Sequence, residues 1–452
     1  MNKPFLIDTY LQNYSTAGKW NLIANDIDTE NISQVVVIPA YAEREMLFST
    51  LASIAQNEPS SLDSSFILCV INNKSDSPSA AVTNNLDTMN YLEALVKKKP
   101  LRRLDSDEGL NNILQLLAET KLKLGYIDAS SKGYEIPQNV GGVGMARKIG
   151  MDAALPLLEN CSAERNLILS LDADTLVQKN YLSVVKKYFT QNVKTAIVSY
   201  EHQMPLNREE KAAICCYEIL LRYWVLGLKY AQSPWAFHSI GSTIITSTKA
   251  YVEVRGMNKR EAGEDFYFLS KLAKIGEIGY IKETCVYPSA RPSARVPFGT
   301  GSRVQRFLSG KQQEYLLYDP QIFVILADWL KLMKNSYNYG EYEVLRKAER
   351  IHPKLATFLE NSGFAAVWSR MRRNVKDEKT LIRQFYDWFD GLKTLKLINY
   401  FTGEVYPQIN MFVALNRILS RQGMADLNLS SAAKIPEPEE QMKILQYLRT
   451  IT

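Results

Sequence analysis

Val35-Val36-Val37-Ile38, Phe66-Ile67-Leu68-Cys69-Val70-Ile71 and Leu167-Ile168-Leu169-Ser170-Leu171 are short runs with almost no polar position. Runs of this kind suit strands buried on both faces, as in a parallel sheet. Pro39 ends the first, Asn72-Asn73 the second and Asp172-Ala173-Asp174 the third. Between them the period changes: Leu47, Leu51, Ile54 and Ala55 recur at helical spacing, as do Tyr181, Val184, Val185 and Tyr188. Strand, helix, strand is the unit from which a mostly parallel sheet flanked by helices is built.

The same pattern divides the chain. Residues 1–33 are polar with scattered aromatics and read as a leader packed on the core. The α/β pattern runs over 34–305, with further strands expected at Thr195 to Tyr200 and Gly241 to Thr246. Within it, residues 74–135 are less orderly and read as a surface insertion, with a basic patch at 97–103 and a helix from Leu110 to Leu124. Residues 209–230 predict a long helix rich in Tyr, Trp and Leu. From 310 to 452 the pattern is helical throughout, as in Leu381, Phe385, Trp388, Phe389, Leu392 and Leu395. That gives an α-helical C-terminal domain.

Composition narrows the class. Among 452 residues, 46% are hydrophobic and 23% charged, which excludes a largely disordered chain. No stretch reaches about 18 consecutive apolar residues, so no transmembrane helix is expected, and the first residues lack a signal-peptide layout. Cys69, Cys161, Cys215, Cys216 and Cys285 are scattered, which points to a reducing, cytoplasmic setting without a disulfide framework. The net charge of +6 falls short of a nucleic-acid binder's basic stripe. It suits an anionic small substrate or peripheral contact with the inner face of an acidic membrane.

Four motifs carry chemistry. Asp172-Ala173-Asp174 follows a buried strand, where open α/β sheets bind ligands. Two carboxylates so spaced suit a hard cation, Mg²⁺ or Mn²⁺, shared with phosphate oxygens; a solvated turn is the plainer alternative. Gly263-Glu264-Asp265 opens a helix, either as a cap or as a carboxylate base. Gly141-Gly142-Val143-Gly144 leads into a helix whose start favours anions, with Arg147 one turn inside. Pro39-Ala40-Tyr41-Ala42-Glu43 ends the first strand, where Tyr41 offers a flat ring for stacking.

Taken in order, VVVIPAYAERE, VINNKS, GVGMARKIG, LSLDADTLV and GSTIITSTKAYVEVRGM with GEDFYFLSKLAKIG resemble family 2 glycosyltransferases of the GT-A fold, over about residues 34–290. The resemblance implies a nucleotide-diphospho-sugar donor, UDP- or GDP-linked, a divalent cation, and an acceptor glycan, lipid or small molecule. It places Pro39, Ala40, Tyr41 and Glu43 at the nucleoside, Arg147 near the pyrophosphate, and Asp172 and Asp174 at the metal. Asp265 becomes the catalytic base with Glu264 beside it, expected to stay ionised at its helix start. Asn72 and Asn73 stand where the family has aspartates that contact the base; an amide adds a donor that a carboxylate lacks. The QxxRW of processive synthases is absent. His238, Arg295 and Arg303 are candidate acceptor or diphosphate contacts. Inverting transfer to a hydroxyl or amine is the expected activity. A non-catalytic nucleotide-binding or scaffold protein of the same fold is the alternative.

Overall fold

A computed structural model describes residues 3–16, 18–25, 31–99, 107–159, 166–189, 192–293, 299–310, 312–424 and 435–452. The chain divides into two compact units. The first takes Met1–Gln203, Ser239–Ala290 and Val296–Phe298; the second takes Met204–His238, Arg291–Arg295 and Gly299–Thr452.

The first unit is built on a nine-stranded sheet. Its strands are β1 (Leu22–Ala24), β2 (Gln34–Ala40), β3 (Ser65–Asn72), β4 (Leu124–Ala129), β5 (Leu167–Ser170), β6 (Leu176–Val177), β7 (Thr195–Tyr200), β8 (Ile244–Ser247) and β9 (Ile278–Tyr287). Their order is β1-β4-β3-β2-β5-β8-β7-β9-β6. The central pairs β4·β3, β3·β2 and β2·β5 are parallel, as is β7·β9; only β1, β6 and β8 oppose their neighbours. Every residue of β2, β3 and β5 is buried, as their unbroken apolar runs require. From β2 the chain builds outward through β3 to β4, then returns to β5 on the other side of β2. That reversal makes a switch point between β2 and β5, the kind of place where open α/β sheets bind ligands outside the carboxyl ends of their strands.

Helices in chain order are α1 (Lys3–Asn13), α2 (Arg44–Ala55), α3 (Pro59–Asp63), α4 (Ser79–Val96), α5 (Glu108–Glu119), α6 (Val143–Leu157), α7 (Tyr181–Tyr188), α8 (Arg208–Tyr230), α9 (Thr248–Glu253) and α10 (Glu264–Ala273). On α1, Tyr10 is 2% exposed and donates from Oη to Asp152 Oδ1 of α6 at 2.6 Å.

Two expectations are corrected here. Residues 74–135 are no surface insertion, because they supply α4, α5 and the interior strand β4. The buried face of α4 includes Asn85 and Thr88 beside Met89, Tyr91 and Leu92, and those polar positions interrupt the apolar period. Part of the basic patch, 100–106, lies outside the described residues. Pro39 also does not end the first strand. It lies inside β2, level with Val70, while pairing with β5 stops at Val37 and Ser170, so its missing N–H falls past the end of the neighbouring strand.

The second unit gathers α8 with the helices from Thr300 onward, and a two-stranded pairing of Leu316–Leu317 with Ile409–Asn410. Its core is aromatic. Trp329, wholly buried, meets Phe364, Phe385 and Phe389 edge-on at centroid distances of 5.6, 5.7 and 6.0 Å. Side chains of this size contribute about 1.5–3 kcal/mol each on burial. Gly227 of α8 lies flat against the Phe323 ring, 2.5 Å from where a Cβ would stand. No helix among the described residues is long and apolar enough to cross a membrane.

Candidate functional site

The end of β5, the turn that follows it and the starts of α6 and α10 meet around Arg147. Arg147 sits one turn inside α6, and its side chain is 3% exposed. Its Nε donates to Glu264 Oε1 at 3.1 Å, its Nη1 to Ser170 Oγ and its Nη2 to Asp172 Oδ1. A guanidinium is a planar fork, and here each arm ends on a different element: α10, β5 and the turn after β5. In this arrangement the guanidinium is an interior clamp, with all three nitrogens engaged within the chain. Two negative neighbours, Asp172 and Glu264, hold the buried guanidinium fully protonated against the effect of desolvation.

Asp172 is held from both sides. Its Oδ2 accepts from Ser242 Oγ, and Ser242 Oγ in turn lies 3.0 Å from Thr175 Oγ1. Asp174, two residues on, is half-buried; its backbone carbonyl accepts from Gln203 Nε2 at 3.0 Å. Among the described residues, no three or more His, Cys, Asp or Glu side chains gather so as to hold a metal ion. Mg²⁺ and Mn²⁺ need fewer protein ligands when phosphate oxygens and water supply the rest. The described residues form no all-protein cage at this turn, and both oxygens of Asp172 are engaged within the chain.

Glu264 and Asp265 open α10, which begins after Gly263 at φ 69°. Asp265 Oδ1 accepts from the Phe266 backbone N–H at 2.7 Å. The expectation that the helix start keeps Asp265 ionised is corrected. Desolvation first, then the charge of Glu264, pushes its carboxyl up to about 7, against the opposing pull of the Phe266 N–H and Arg147. Burial pushes Glu264 upward too, opposed mainly by Arg147.

The glycines before α6 serve the chain's own loops. A Cβ at Gly142, whose φ is 136°, would stand 2.7 Å from Glu261 Cα, and one at Gly144 would stand 2.7 Å from the Asn258 carbonyl. Only glycine at 142 combines that backbone angle with that approach. The close approach at both positions is made by residues 258–261 of the chain itself.

At the ends of β2 and β3 the polar groups are interlocked. Asn72 Nδ2 donates to the carbonyls of Ala40 (3.1 Å) and Val70 (3.2 Å). Asn73 Nδ2 donates to the Lys74 carbonyl at 3.0 Å, while its Oδ1 accepts from Asn85 Nδ2 and Ser130 Oγ. Asn85 Oδ1 also accepts the backbone N–H of Ala42, which holds Ala42 at φ 53°, a strained angle for a residue with a Cβ. Tyr41 next to it is half-buried, and Glu43 is buried at the start of α2. Pro39 and Ala40 close β2 beneath them.

The remaining candidates belong to the second unit. His238 is buried, and desolvation pulls its imidazole down to about 3, so it stays neutral. Arg303 donates from Nη1 to Glu314 Oε2 at 2.7 Å, and Arg306 pairs with the same carboxylate. Arg295 lies outside the described residues. Sequence reading missed Ser242, Thr175, Asn85 and Gln203. They reach the site over separations such as the 70 positions between Asp172 and Ser242, and no local motif marks them.

No protein-family model matches the chain, and no curated protein does. Solved structures with similarity include TarS residues 1–349 from S. aureus, at 12% identity and TM-score 0.36, over 79% of this chain and 91% of that one. The same protein in complex with UDP-GlcNAc aligns at 11% identity and TM-score 0.37, over 79% and 92%. The mannosyltransferase PcManGT from Pyrobaculum calidifontis, in complex with GDP-Man and Mn²⁺, aligns at 15% identity and TM-score 0.35, over 87% and 94%. Scores of this size leave the function to the site itself.

Proposed function

We propose that the chain is an inverting, GT-A-type glycosyltransferase that moves a sugar from a nucleotide-diphosphate donor to an acceptor hydroxyl or amine. The observation that carries this reading is the Arg147 clamp, which brings the strand-end carboxylate Asp172 and the helix-start pair Glu264-Asp265 to one place beside the sheet's switch point. A divalent cation held by Asp174, with Asp172 beside it, would offset negative charge on the departing diphosphate.

Asp265 supplies the base. A carboxyl pushed up to about 7 is matched to proton transfer near neutral pH. The acceptor oxygen or nitrogen attacks the anomeric carbon as the bond from that carbon to the diphosphate oxygen breaks. The bonding pair leaves with the nucleoside diphosphate, and the acceptor's proton passes to Asp265. One displacement inverts the anomeric centre, through an oxocarbenium-like transition state. Pro39, Ala40, Tyr41, Glu43, Asn72 and Asn73 are assigned to the nucleoside side. The catalytic domain of this reading lies within residues 34–305, its sheet completed by β1 from the first 33 residues, and 310–452 form a helical domain that also takes α8. A cytoplasmic location, at the inner face of the membrane for a lipid acceptor, fits this reading.

A second reading, nucleotide binding without turnover, draws on Asn72 and Asn73, whose amide N–H groups are engaged by backbone carbonyls. A thermal-shift panel of UDP- and GDP-sugars with and without Mn²⁺, followed by donor-hydrolysis and transfer assays, separates the two. Mn²⁺-dependent stabilisation with sugar release or transfer supports the transferase. Stabilisation without either supports the binder, and nucleotide affinity that ignores EDTA sinks the cation assignment.

A further inference from the structure

Glu264 is the more enclosed carboxylate on the clamp: its side chain is 6% exposed, against 34% for Asp172. Gly144 lies against it, since a Cβ there would stand 3.0 Å from Glu264 Cβ. Asn258 Nδ2 donates to its backbone carbonyl at 3.3 Å. Its Oε1 accepts Arg147 Nε–H at 3.1 Å. A proton acceptor must come within hydrogen-bond reach of the group it deprotonates, and an oxygen enclosed by α6 and engaged by a guanidinium is badly placed for that.

Arg147 has a second reason to need Glu264. Its other two arms, to Ser170 and Asp172, both lie on β5 or the turn that follows. Without Glu264 the guanidinium would be fixed to the β5 side alone, and nothing on this clamp would relate Asp172 to the start of α10.

We propose that Glu264 is a positioning residue that acts through Arg147: it draws the guanidinium to the start of α10 and thereby fixes Asp172 relative to Asp265. The kinetic part of this inference rests on the glycosyl-transfer reading; the structural part does not.

Glu264→Gln keeps the size and an acceptor oxygen for Nε–H but removes the charge. A kinetic cycle with Glu264→Gln, Arg147→Met and the double variant reads the relation directly. Glu264→Gln is expected to lower kcat by about 10–100-fold, as loss of a supporting contact does, and to add little once Arg147 is gone. The same fold-loss in both backgrounds would mean that Glu264 acts on substrate itself and would overturn the proposal. So would a fall in melting temperature with kcat unchanged.

Should Arg147→Met fail to fold, the pH–rate profile of Glu264→Gln decides. The charged groups facing Asp265 are Glu264, Asp172 and Arg147. Removing one negative neighbour moves the acid limb of kcat to lower pH; disappearance of that limb would make Glu264 the base. If the unmodified protein transfers no sugar from any donor, the function reading fails by itself. A crystal structure of Glu264→Leu then tests the positioning: the guanidinium is expected to stay on Ser170 and Asp172 while the start of α10 shifts relative to Asp172, and an unmoved α10 start would overturn it.

Discussion

Tyr10 Oη donates to Asp152 Oδ1 at 2.6 Å across 142 positions of sequence, and Lys148 Nζ donates to the same hydroxyl at 2.7 Å. The Asp152 carboxylate also accepts from Tyr251 Oη and from the Thr16 backbone. The Lys148–Asp152 ion pair is thus closed over by α1. Tyr10→Phe keeps the ring and removes the hydroxyl, leaving a buried ammonium short of an acceptor. A loss of about 1–3 kcal/mol is expected, read by urea unfolding; an unchanged midpoint would show that the hydroxyl adds nothing to the seal.

Gly241 faces the guanidinium of Arg147, with Cζ 2.9 Å from where a Cβ would be. Gly241→Ala should push Arg147 off Asp172. Overpacking of this kind destabilises by about 1–3 kcal/mol, and turnover should fall by more than the folded fraction does. Melting temperature and kcat measured on one preparation separate the two effects; a variant with wild-type kcat would show that the clamp tolerates displacement.

Asp174 is half-buried at the turn that follows β5. Asp174→Ala should abolish Mn²⁺-dependent nucleotide binding with the melting temperature nearly unchanged. Calorimetric titration of UDP and GDP with and without Mn²⁺ checks this, and retained metal-dependent affinity would remove Asp174 from the cation site.

Asp265 gives two pH signatures. As a base pushed up to about 7, it should produce an acid limb in kcat near neutral pH. Asp265→Asn should lower kcat by about 10²–10⁴-fold with donor affinity kept. The stability sign is opposite to that of a salt-bridged carboxylate. The folded state binds this proton more tightly than the unfolded chain, so the contribution is fully present below the ordinary carboxylate range. It is lost as pH rises through about 7. Urea unfolding at pH 5 and pH 8 should show that loss, and Asp265→Asn should flatten it. A pH-independent difference between variant and parent would mean that Asp265 titrates elsewhere.

The sheet's centre was legible because β2, β3 and β5 are buried along their whole length, and their polar residues, Gln34, Ser65, Asn72 and Ser170, stand only at strand ends. β4 was not, since Gly125 and Asp128 interrupt its run, and β9 alternates irregularly between exposed and buried positions. In the site, Asp172, Asp174, Glu264, Asp265 and Arg147 were legible from short motifs, but their mutual arrangement was not. Nothing local to GVGMAR says that Arg147 turns inward to two carboxylates. Nor does anything around Ser242 or Asn85 announce partners on distant strand ends. In the second unit the helical period of Leu381 and Phe385, both buried, was plain. The grouping of α8 with the later helices was not, because it rests on contacts such as Gly227 with Phe323.

Pro39 bears on where the Asp172–Asp174 turn can go. Between β2 and β5, Leu167 N–H donates to the Ser33 carbonyl and Leu171 N–H to the Val37 carbonyl. The next rung would run from the nitrogen of position 39 to the Leu171 carbonyl, and proline has no hydrogen there to give. The ladder unzips at that step, and the chain leaving Leu171 is released from the sheet before it reaches its acidic residues. A single absent hydrogen on one strand thus falls at the step where the neighbouring strand becomes a loop, and Pro39→Ala would supply the donor for one more rung.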